Sequence, residues 1–403
     1  MDDSLTILIA ARDEEARIGT TVAALRKQFP GAQVIVADDG SQDATAHIAA
    51  TAGARVVRLP RRGKGQALTL GEREAPPGDL LLCDADLRGD LRPLLGGDSD
   101  LTIATFEQRQ GGGFGIAKEA ARRLIRLASG FDAGEPLSGQ RRLTQKARDA
   151  VFPLAAGFGC EAAMTADAVN AELEIGEPGL PLEHRATDRD LRGFLHRGRQ
   201  LRDIVLAFGP QGRNHRGLRL PLVGWLVAVA QPSLLPVAAI GVADDLWSGE
   251  ERGFRAHLRA RRTTGILKLV GIPAFGLWRT RSLSGAILVG LSANLLNQLD
   301  TKPGRALKVY LAAAMHLNAP KAMAVLLAPY DLREMAMLGD SGSNALGAML
   351  GLRSVGRLTE RQRWSAIAAL AGLTILGERR SLGELIERTP VFRELDALGR
   401  QRA

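Results

Sequence analysis

Cysteine is nearly missing from this chain. Cys83 and Cys160 are the only two in 403 residues, which excludes a disulfide scaffold and a zinc site built from several thiolates. Aromatic residues make up 4%, too few for nucleic-acid binding that stacks bases on rings, so no nucleic-acid partner is expected. The opening residues, Met1-Asp2-Asp3-Ser4, lack the basic-then-apolar order of a secretory signal, which keeps the amino-terminal half in the cytoplasm on this reading. No internal repeat or low-complexity segment is present. Positive charge, by contrast, is in surplus: 53 Lys and Arg against 44 Asp and Glu give +9. That balance suits an anionic partner such as a phosphate, a nucleotide or an acidic membrane surface.

The length exceeds one ordinary domain of ~100–200 residues, and the character of the chain changes near residue 212. In residues 1–211, β-rich runs at 5–10, 33–37, 54–59 and 79–83 alternate with segments of helical period at 14–28, 42–51 and 65–74. The alternation predicts an α/β fold with a mostly parallel sheet. Each run ends in a polar or acidic turn, and open α/β sheets bind ligands just outside the carboxyl ends of their strands. In residues 212–403, positions 220–243 carry no charge over 24 residues and 282–299 none over 18. A run of about 20 apolar residues spans a bilayer core, so this half is expected to be an all-α membrane helical domain. The basic block at 252–262 and Arg279–Arg281 would face the cytoplasm. Pro221, Pro232 and Pro236 interrupt the first run, which leaves a hairpin insertion open, and a buried helical bundle is the plainer alternative.

Two acidic turns and one basic turn stand out in the first half. Asp38-Asp39-Gly40-Ser41 closes the second run, and a carboxylate there can accept hydrogen bonds from a base or from ribose hydroxyls, although the same string is also an ordinary turn and helix cap. Asp84-Ala85-Asp86 closes the fourth; with carboxylates at i and i+2, one can hold a hard divalent cation while the other orients a hydroxyl. Such a cation would offset the charge of a leaving diphosphate. Gly63-Lys64-Gly65 adds a cation on a mobile turn that could reach the same phosphates.

These strings resemble the family 2 glycosyltransferases of GT-A fold, in particular the branch with glucosyl-3-phosphoglycerate synthases and polyprenyl-phosphate sugar transferases. The resemblance runs from Ile9-Ala10-Ala11-Arg12-Asp13-Glu14-Glu15 through the turns above to Gly111–Gly115, Leu137-Ser138-Gly139-Gln140-Arg141, Gly157-Phe158-Gly159-Cys160-Glu161 and Glu183-His184-Arg185. It implies that Glu14, Asp38, Asp39, Lys64 and Asp84 bind a nucleotide sugar, that Asp86 and His184 hold Mg²⁺ or Mn²⁺, and that Asp86 and Glu161 serve catalysis, Glu161 on the acceptor or metal side. By spacing alone His184, with no second His at i+3 or i+4, is an ordinary histidine. Gly111–Gly115 would be a loop that covers the donor. Asp13, where the family commonly has Asn, would put an extra carboxylate near the diphosphate.

In the second half Asp244-Asp245, Asn294/Asn297/Asp300 and Gly339-Asp340-Ser341-Gly342-Ser343-Asn344 close apolar runs. Together with 253–258 and 263–268 they resemble the polyprenyl-phosphate sugar-1-phosphate transferases, the group of the phospho-muramoyl-pentapeptide transferase. That resemblance implies a second site at Asp244, Asp245, Asn297, Asp300 and Asp340 around Mg²⁺ and a diphosphate. The expected protein is therefore a multi-pass cell-membrane enzyme in contact with membrane lipid, its glycosyltransferase domain cytoplasmic. It would pass a hexose from a UDP- or GDP-sugar, with inversion, to a phosphate-bearing or polyprenyl-phosphate acceptor. Its rivals are a bifunctional enzyme whose second half moves a sugar-1-phosphate, and a non-catalytic scaffold.

Overall fold

The computed structural model describes residues 5–106, 115–182, 191–247 and 263–400. The chain forms two compact units, one built on residues up to Gly209 with Gly217–Arg219, the other on Pro210–Arg216 with the residues from Leu220 on.

The first unit is an α/β layer around a seven-stranded sheet whose strands lie in the order β3 (Arg55–Leu59), β2 (Gln33–Asp39), β1 (Thr6–Ala11), β4 (Leu80–Asp84), β7 (Arg141–Leu143), β5 (Leu101–Ile103) and β8 (Ile175–Gly176). Strands β1 (Thr6–Ala11), β2 (Gln33–Asp39) and β4 (Leu80–Asp84) are almost wholly buried apolar runs, the signature of parallel strands covered on both faces. Their side chains alternate between two cores. Ile7, Ile9, Val34, Val36, Leu81 and Cys83 pack under helix α1 (Ile18–Gln28) through Ile18, Val22 and Leu25. Leu8, Ile35, Ala37, Leu80 and Leu82 face α3 (Lys64–Glu72) and α6 (Cys160–Asn170) through Ala67, Leu68, Cys160 and Met164. Helix α2 (Thr45–Thr51) and strand β3 (Arg55–Leu59) complete the parallel part, and β7 (Arg141–Leu143) runs antiparallel to β4 and to β5 (Leu101–Ile103). The sheet is thus mixed and mostly parallel, as the alternation predicts.

Register places the chemistry. Ala10 of β1 lies opposite both Ala37 and Asp84, Ala11 opposite Asp38, and Asp39 opposite Leu59. The acidic ends of β2 and β4 therefore emerge on one edge, on either side of β1. Helix α1 starts at Ile18 and not at residue 14, because Asp13 takes φ 53°, a left-handed conformation that interrupts a helix. Gly40, at φ 70°, makes the exit from β2, where a Cβ would lie 2.8 Å from the backbone N of Arg61.

The second unit is mainly helical among the described residues, apart from the short strand Gln211–Arg213 and the end of another at Arg219–Pro221, but the membrane-spanning helices expected of it are not found there. Among those residues no helix is long and apolar enough to cross a membrane. The uncharged run at 220–243 is not one helix. It holds the end of a short strand, a helix over Leu226–Ala230, a 3₁₀ turn over Pro232–Leu234 and a 13-residue helix over Leu235–Trp247. Thirteen residues rise about 20 Å against a hydrocarbon core of about 30 Å. Pro232 enforces the break, since it has no N–H to give the preceding turn. The multi-pass membrane placement, with its lipid contact, is corrected accordingly. The Gly339–Val355 helix, by contrast, is buried without interruption from Ser341 to Gly351, and a helix packed all round has no polar face to show. Its glycines allow close approach to the Leu283–Leu299 helix, where a Cβ on Gly347 would meet Ala293 Cα at 2.5 Å and one on Gly351 would meet Val289 Cα at 2.6 Å.

Candidate functional site

The loops after β1 and β2 are stitched together by reciprocal hydrogen bonds. Asp13 N donates to Ser41 Oγ (3.0 Å) while Gln42 N donates to Asp13 Oδ1 (2.8 Å). Glu15 N donates to Asp43 Oδ2 (3.1 Å), Ala44 N returns to Glu15 Oε2 (3.0 Å), and Glu14 N donates to Thr45 Oγ1 (2.7 Å). The Asp13 carboxylate thus has a local task in holding the two turns in register. The Glu14 carboxylate pairs with Arg17 at 2.7 Å on the same edge.

Asp38 and Asp39 are both buried, each 5% exposed. Asp38 accepts from the backbone N and hydroxyl of Ser41. Asp39 accepts from Arg62 N at 2.6 Å and from Gly63 N at 2.9 Å, so it ties the end of β2 to the turn that presents Lys64. Burial pushes the Asp39 carboxyl above its ordinary value, and those two N–H groups pull against the rise.

Lys64 is the first residue of α3, and its ammonium lies between two acids. It is 2.6 Å from Asp84 Oδ1 at the end of β4 and 2.6 Å from Glu161 Oε1 in the first turn of α6. Burial by itself would lower this ammonium, but Asp84 and Glu161 outweigh it and hold it well above the usual lysine value. The other oxygens are engaged as well: Asp84 Oδ2 accepts from Gln140 Nε2 at 2.9 Å, and Glu161 Oε2 from the Cys160 thiol at 3.0 Å. Burial raises the Cys160 thiol well above its normal range, with the Glu161 charge adding to the rise, so the sulfur stays a neutral donor.

The structure therefore brings Lys64, Asp84 and Glu161 into direct contact and sets Asp38, Asp39 and Glu14 on the same sheet edge. Asp86 follows two residues beyond β4 and contributes to the raised Arg17 guanidinium, behind the larger effect of Glu14. A carboxylate is the kind of hard oxygen donor that Mg²⁺ or Mn²⁺ prefers. His184, the loop at 111–114 and the basic block at 252–262 lie outside the described residues. Among the described residues no group of three or more His, Cys, Asp or Glu is arranged to hold a metal ion.

Two participants were missed by sequence reasoning. Gln140 holds Asp84, and the fully buried Arg141 holds the loop that carries Gln140, donating to Ser138 O (2.8 Å), Pro136 O (3.3 Å) and Thr165 Oγ1 (2.9 Å). The string Leu137-Ser138-Gly139-Gln140-Arg141 was the available signal, but nothing in it says that the amide faces a carboxylate 56 residues away.

In the second unit Asp244, Asp245, Asp300 and Asp340 do gather, joined by Asp331, while Asn297 donates to Asn344 Oδ1 at 3.4 Å. A cation is already among them. Lys268 Nζ lies 2.7 Å from Asp244 Oδ2 and 2.5 Å from Asp340 Oδ2. Asp245 accepts from the backbone N of Asp340 (2.9 Å) and Ser341 (3.1 Å), and Asp331 from Gly304 N (2.6 Å). Backbone N–H groups and an internal ammonium thus engage Asp244, Asp245, Asp331 and Asp340.

Residues 6–89 match the model of glycosyl transferase family 2. The chain is 31% identical to a glucosyl-3-phosphoglycerate synthase of Mycolicibacterium paratuberculosis, over 41% of this chain and 59% of that protein. It is 39% identical to a 4,4'-diaponeurosporenoate glycosyltransferase of Staphylococcus aureus, over 21% of this chain and 24% of that one. The chain thus spans less than two thirds of the length of either relative. Among solved structures, glucosyl-3-phosphoglycerate synthase of Mycobacterium tuberculosis in complex with phosphoglyceric acid superposes with a TM-score of 0.43 at 26% identity, covering 51% of this chain and 78% of that one. Over residues 6–89 the first unit is thus similar to the family 2 glycosyltransferases.

Proposed function

We propose that the first unit transfers a hexose from a UDP- or GDP-linked donor to a phosphate-bearing acceptor, by direct displacement at the anomeric carbon with inversion. One observation carries the reading: Lys64, Asp84 and Glu161 meet at the strand edge where β2 and β4 also present Asp38, Asp39 and Asp86. Asp39 fixes the Arg62–Gly63 backbone and so aims Lys64 at the place where phosphates would lie. Asp86, with His184 as its expected partner, would hold Mg²⁺ or Mn²⁺, which supplies Lewis-acid stabilisation of the leaving diphosphate. Lys64 adds a second positive charge to the same phosphates. Glu161, across from Asp84, is the carboxylate placed to orient an acceptor hydroxyl and take its proton; an acceptor that attacks through an ionised phosphate oxygen needs no base. Holding donor and acceptor in line contributes most of the rate, as no covalent intermediate is called for. The name of the mycobacterial relative makes glucose and 3-phosphoglycerate the first pair to assay. No step is assigned to the second unit.

The test is nucleotide-sugar affinity by calorimetry for the full chain, with Mn²⁺ and with EDTA. Asp86→Ala is expected to bind UDP-glucose or GDP-glucose about tenfold or more weaker in Mn²⁺ and to lose its response to EDTA. Asp39→Ala, which frees two buried N–H groups, should weaken binding by a similar factor. Affinity unchanged by chelation and by both substitutions would remove the glycosyltransferase reading.

A further inference from the structure

We infer that Lys64 is an exchangeable counter-ion, held by Asp84 and Glu161 until the diphosphate of a nucleotide draws it away, so that donor binding frees Glu161 for the acceptor. The inference rests on the glycosyltransferase reading and adds the order in which the site assembles.

Three observations support it. First, one ammonium serves two acids at equal distance, 2.6 Å to each. The two acids are not equally dependent on it. Asp84 keeps a second side-chain donor in Gln140, whereas Glu161, 5% exposed, keeps on its other oxygen the weak thiol donor of Cys160. Second, the Lys64 ammonium sits on a long side chain at the head of α3, a helix whose N-terminus has no side-chain cap. The unsatisfied N–H groups of such an end attract an anion, and a long flexible stem lets the ammonium follow it. Third, the charge left behind is not stranded. Arg141, wholly buried beside α6, keeps a positive charge close to Glu161 while its own N–H groups hold Ser138, Pro136 and Thr165.

A diphosphate with two or more negative charges therefore competes with Glu161 for the same cation. In the resting protein both Glu161 oxygens are engaged, and the carboxylate is poorly placed to accept from an acceptor hydroxyl. When Lys64 turns to the phosphates, Glu161 Oε1 loses its partner and an incoming hydroxyl can supply the replacement. By reciprocity, whatever the Lys64–Glu161 contact costs donor binding is returned as acceptor binding.

The consequence runs opposite to the usual loss on mutating an active-site acid. Glu161→Gln should bind UDP more tightly than the wild type, because the lysine no longer has to leave a carboxylate. The measurement is UDP affinity at fixed saturating Mn²⁺ for the full-length wild type, Glu161→Gln, Lys64→Met and the double variant. We expect Glu161→Gln to tighten UDP about fivefold, the low end of ordinary coupling between ligands. Lys64→Met should weaken it about tenfold or more, the loss of a charge-assisted phosphate contact. The double variant should match Lys64→Met alone, since removing Glu161 has nothing left to release. Glu161→Asp, whose shorter side chain also lets go of Lys64, is the second release variant and is expected to tighten UDP as well, should the glutamine variant not fold. If neither release variant tightens UDP, or if the single effects add in the double variant, the exchange is wrong while the glycosyltransferase reading stands. If wild-type protein binds no nucleotide at all, both fall together.

Discussion

Gly65→Ala is expected to destabilise the first unit by about 3 kcal/mol or more and to abolish nucleotide binding. The reason is contact with backbone. A Cβ built at Gly65 would lie 1.8 Å from Ala155 O and 3.0 Å from Cys160 Cβ, so either α3 or the chain entering α6 must move. Both carry site residues: α3 begins at Lys64, and α6 begins at Cys160 and Glu161. A shift of even about 1 Å separates Lys64 from Glu161, and a site that works by placement loses its advantage at that scale. The melting temperature should fall by about 6–12 °C, at the ~2–4 °C per kcal/mol usual for a unit of this size. Gly198→Ala is the control. It lies within α7 (Leu191–Ala207), where a Cβ meets nothing within 4 Å, so the alanine should be neutral or stabilise by up to about 1 kcal/mol. Calorimetric melts of the full chain with UDP titrations check both. A Gly65→Ala protein with wild-type melting and UDP affinity would show that α3 and the Ala155 backbone are not packed as described.

That glycine illustrates what the sequence could and could not disclose. The strand ends were legible because burial on both faces leaves an unbroken apolar run, and the first residue the core rejects is the one that meets the ligand. Asp38, Asp39 and Asp84 fall where Val34–Ala37 and Leu80–Cys83 stop. Lys64 was legible as a cation between two glycines, but its partners were not, since Asp84 and Glu161 lie 20 and 97 residues further on and only sheet order brings them together. Helix starts misled for a local reason. Residues 14–17 fit a helical period, yet the αL conformation of Asp13 and its bonds to Ser41 and Gln42 hold them in a turn. The second unit misled more deeply. An uncharged run reports that side chains avoid water, without saying whether lipid or protein surrounds them. Segment length separates the two only if the run is one helix, and 220–243 is broken at Gln231-Pro232. The acidic ends of those runs suggested a metal because carboxylates that converge need a counter-charge. The lysine that supplies one sits inside an apolar helix, where sequence alone gives it no partner.

Lys268→Met is accordingly expected to cost the second unit about 3–5 kcal/mol near pH 8, the usual penalty for leaving buried carboxylates without their cation, and far less near pH 5. The sign follows from the shifted groups. Burial, with the Asp340 charge behind it, raises Asp245 from 3.8 to about 7, and burial raises Asp331 to about 6. Asp340 and Asp300 are also raised, burial again leading. A carboxylate with a folded pKa above its unfolded one binds more protons in the native state, so between about pH 4 and 7 stability falls as pH rises. Lys268 works the other way. Burial lowers it, Asp340 and Asp244 outweigh that, and its raised folded pKa gives a contribution complete below 10.5 and lost only above the folded value. The wild type should therefore soften modestly from pH 5 to 8, and the methionine variant should soften steeply over the same window, because the acids that lost their cation now ionise without it. All four tryptophans, Trp225, Trp247, Trp278 and Trp364, belong to this unit. Urea unfolding followed by tryptophan fluorescence at pH 5 and pH 8 thus reads it directly in the full chain. Equal losses at both pH values would mean that Lys268 acts through packing and not through charge. Wild-type protein whose transition rises with millimolar Mg²⁺ would return the cluster to the metal reading, since an ion that binds only the folded unit stabilises it by mass action.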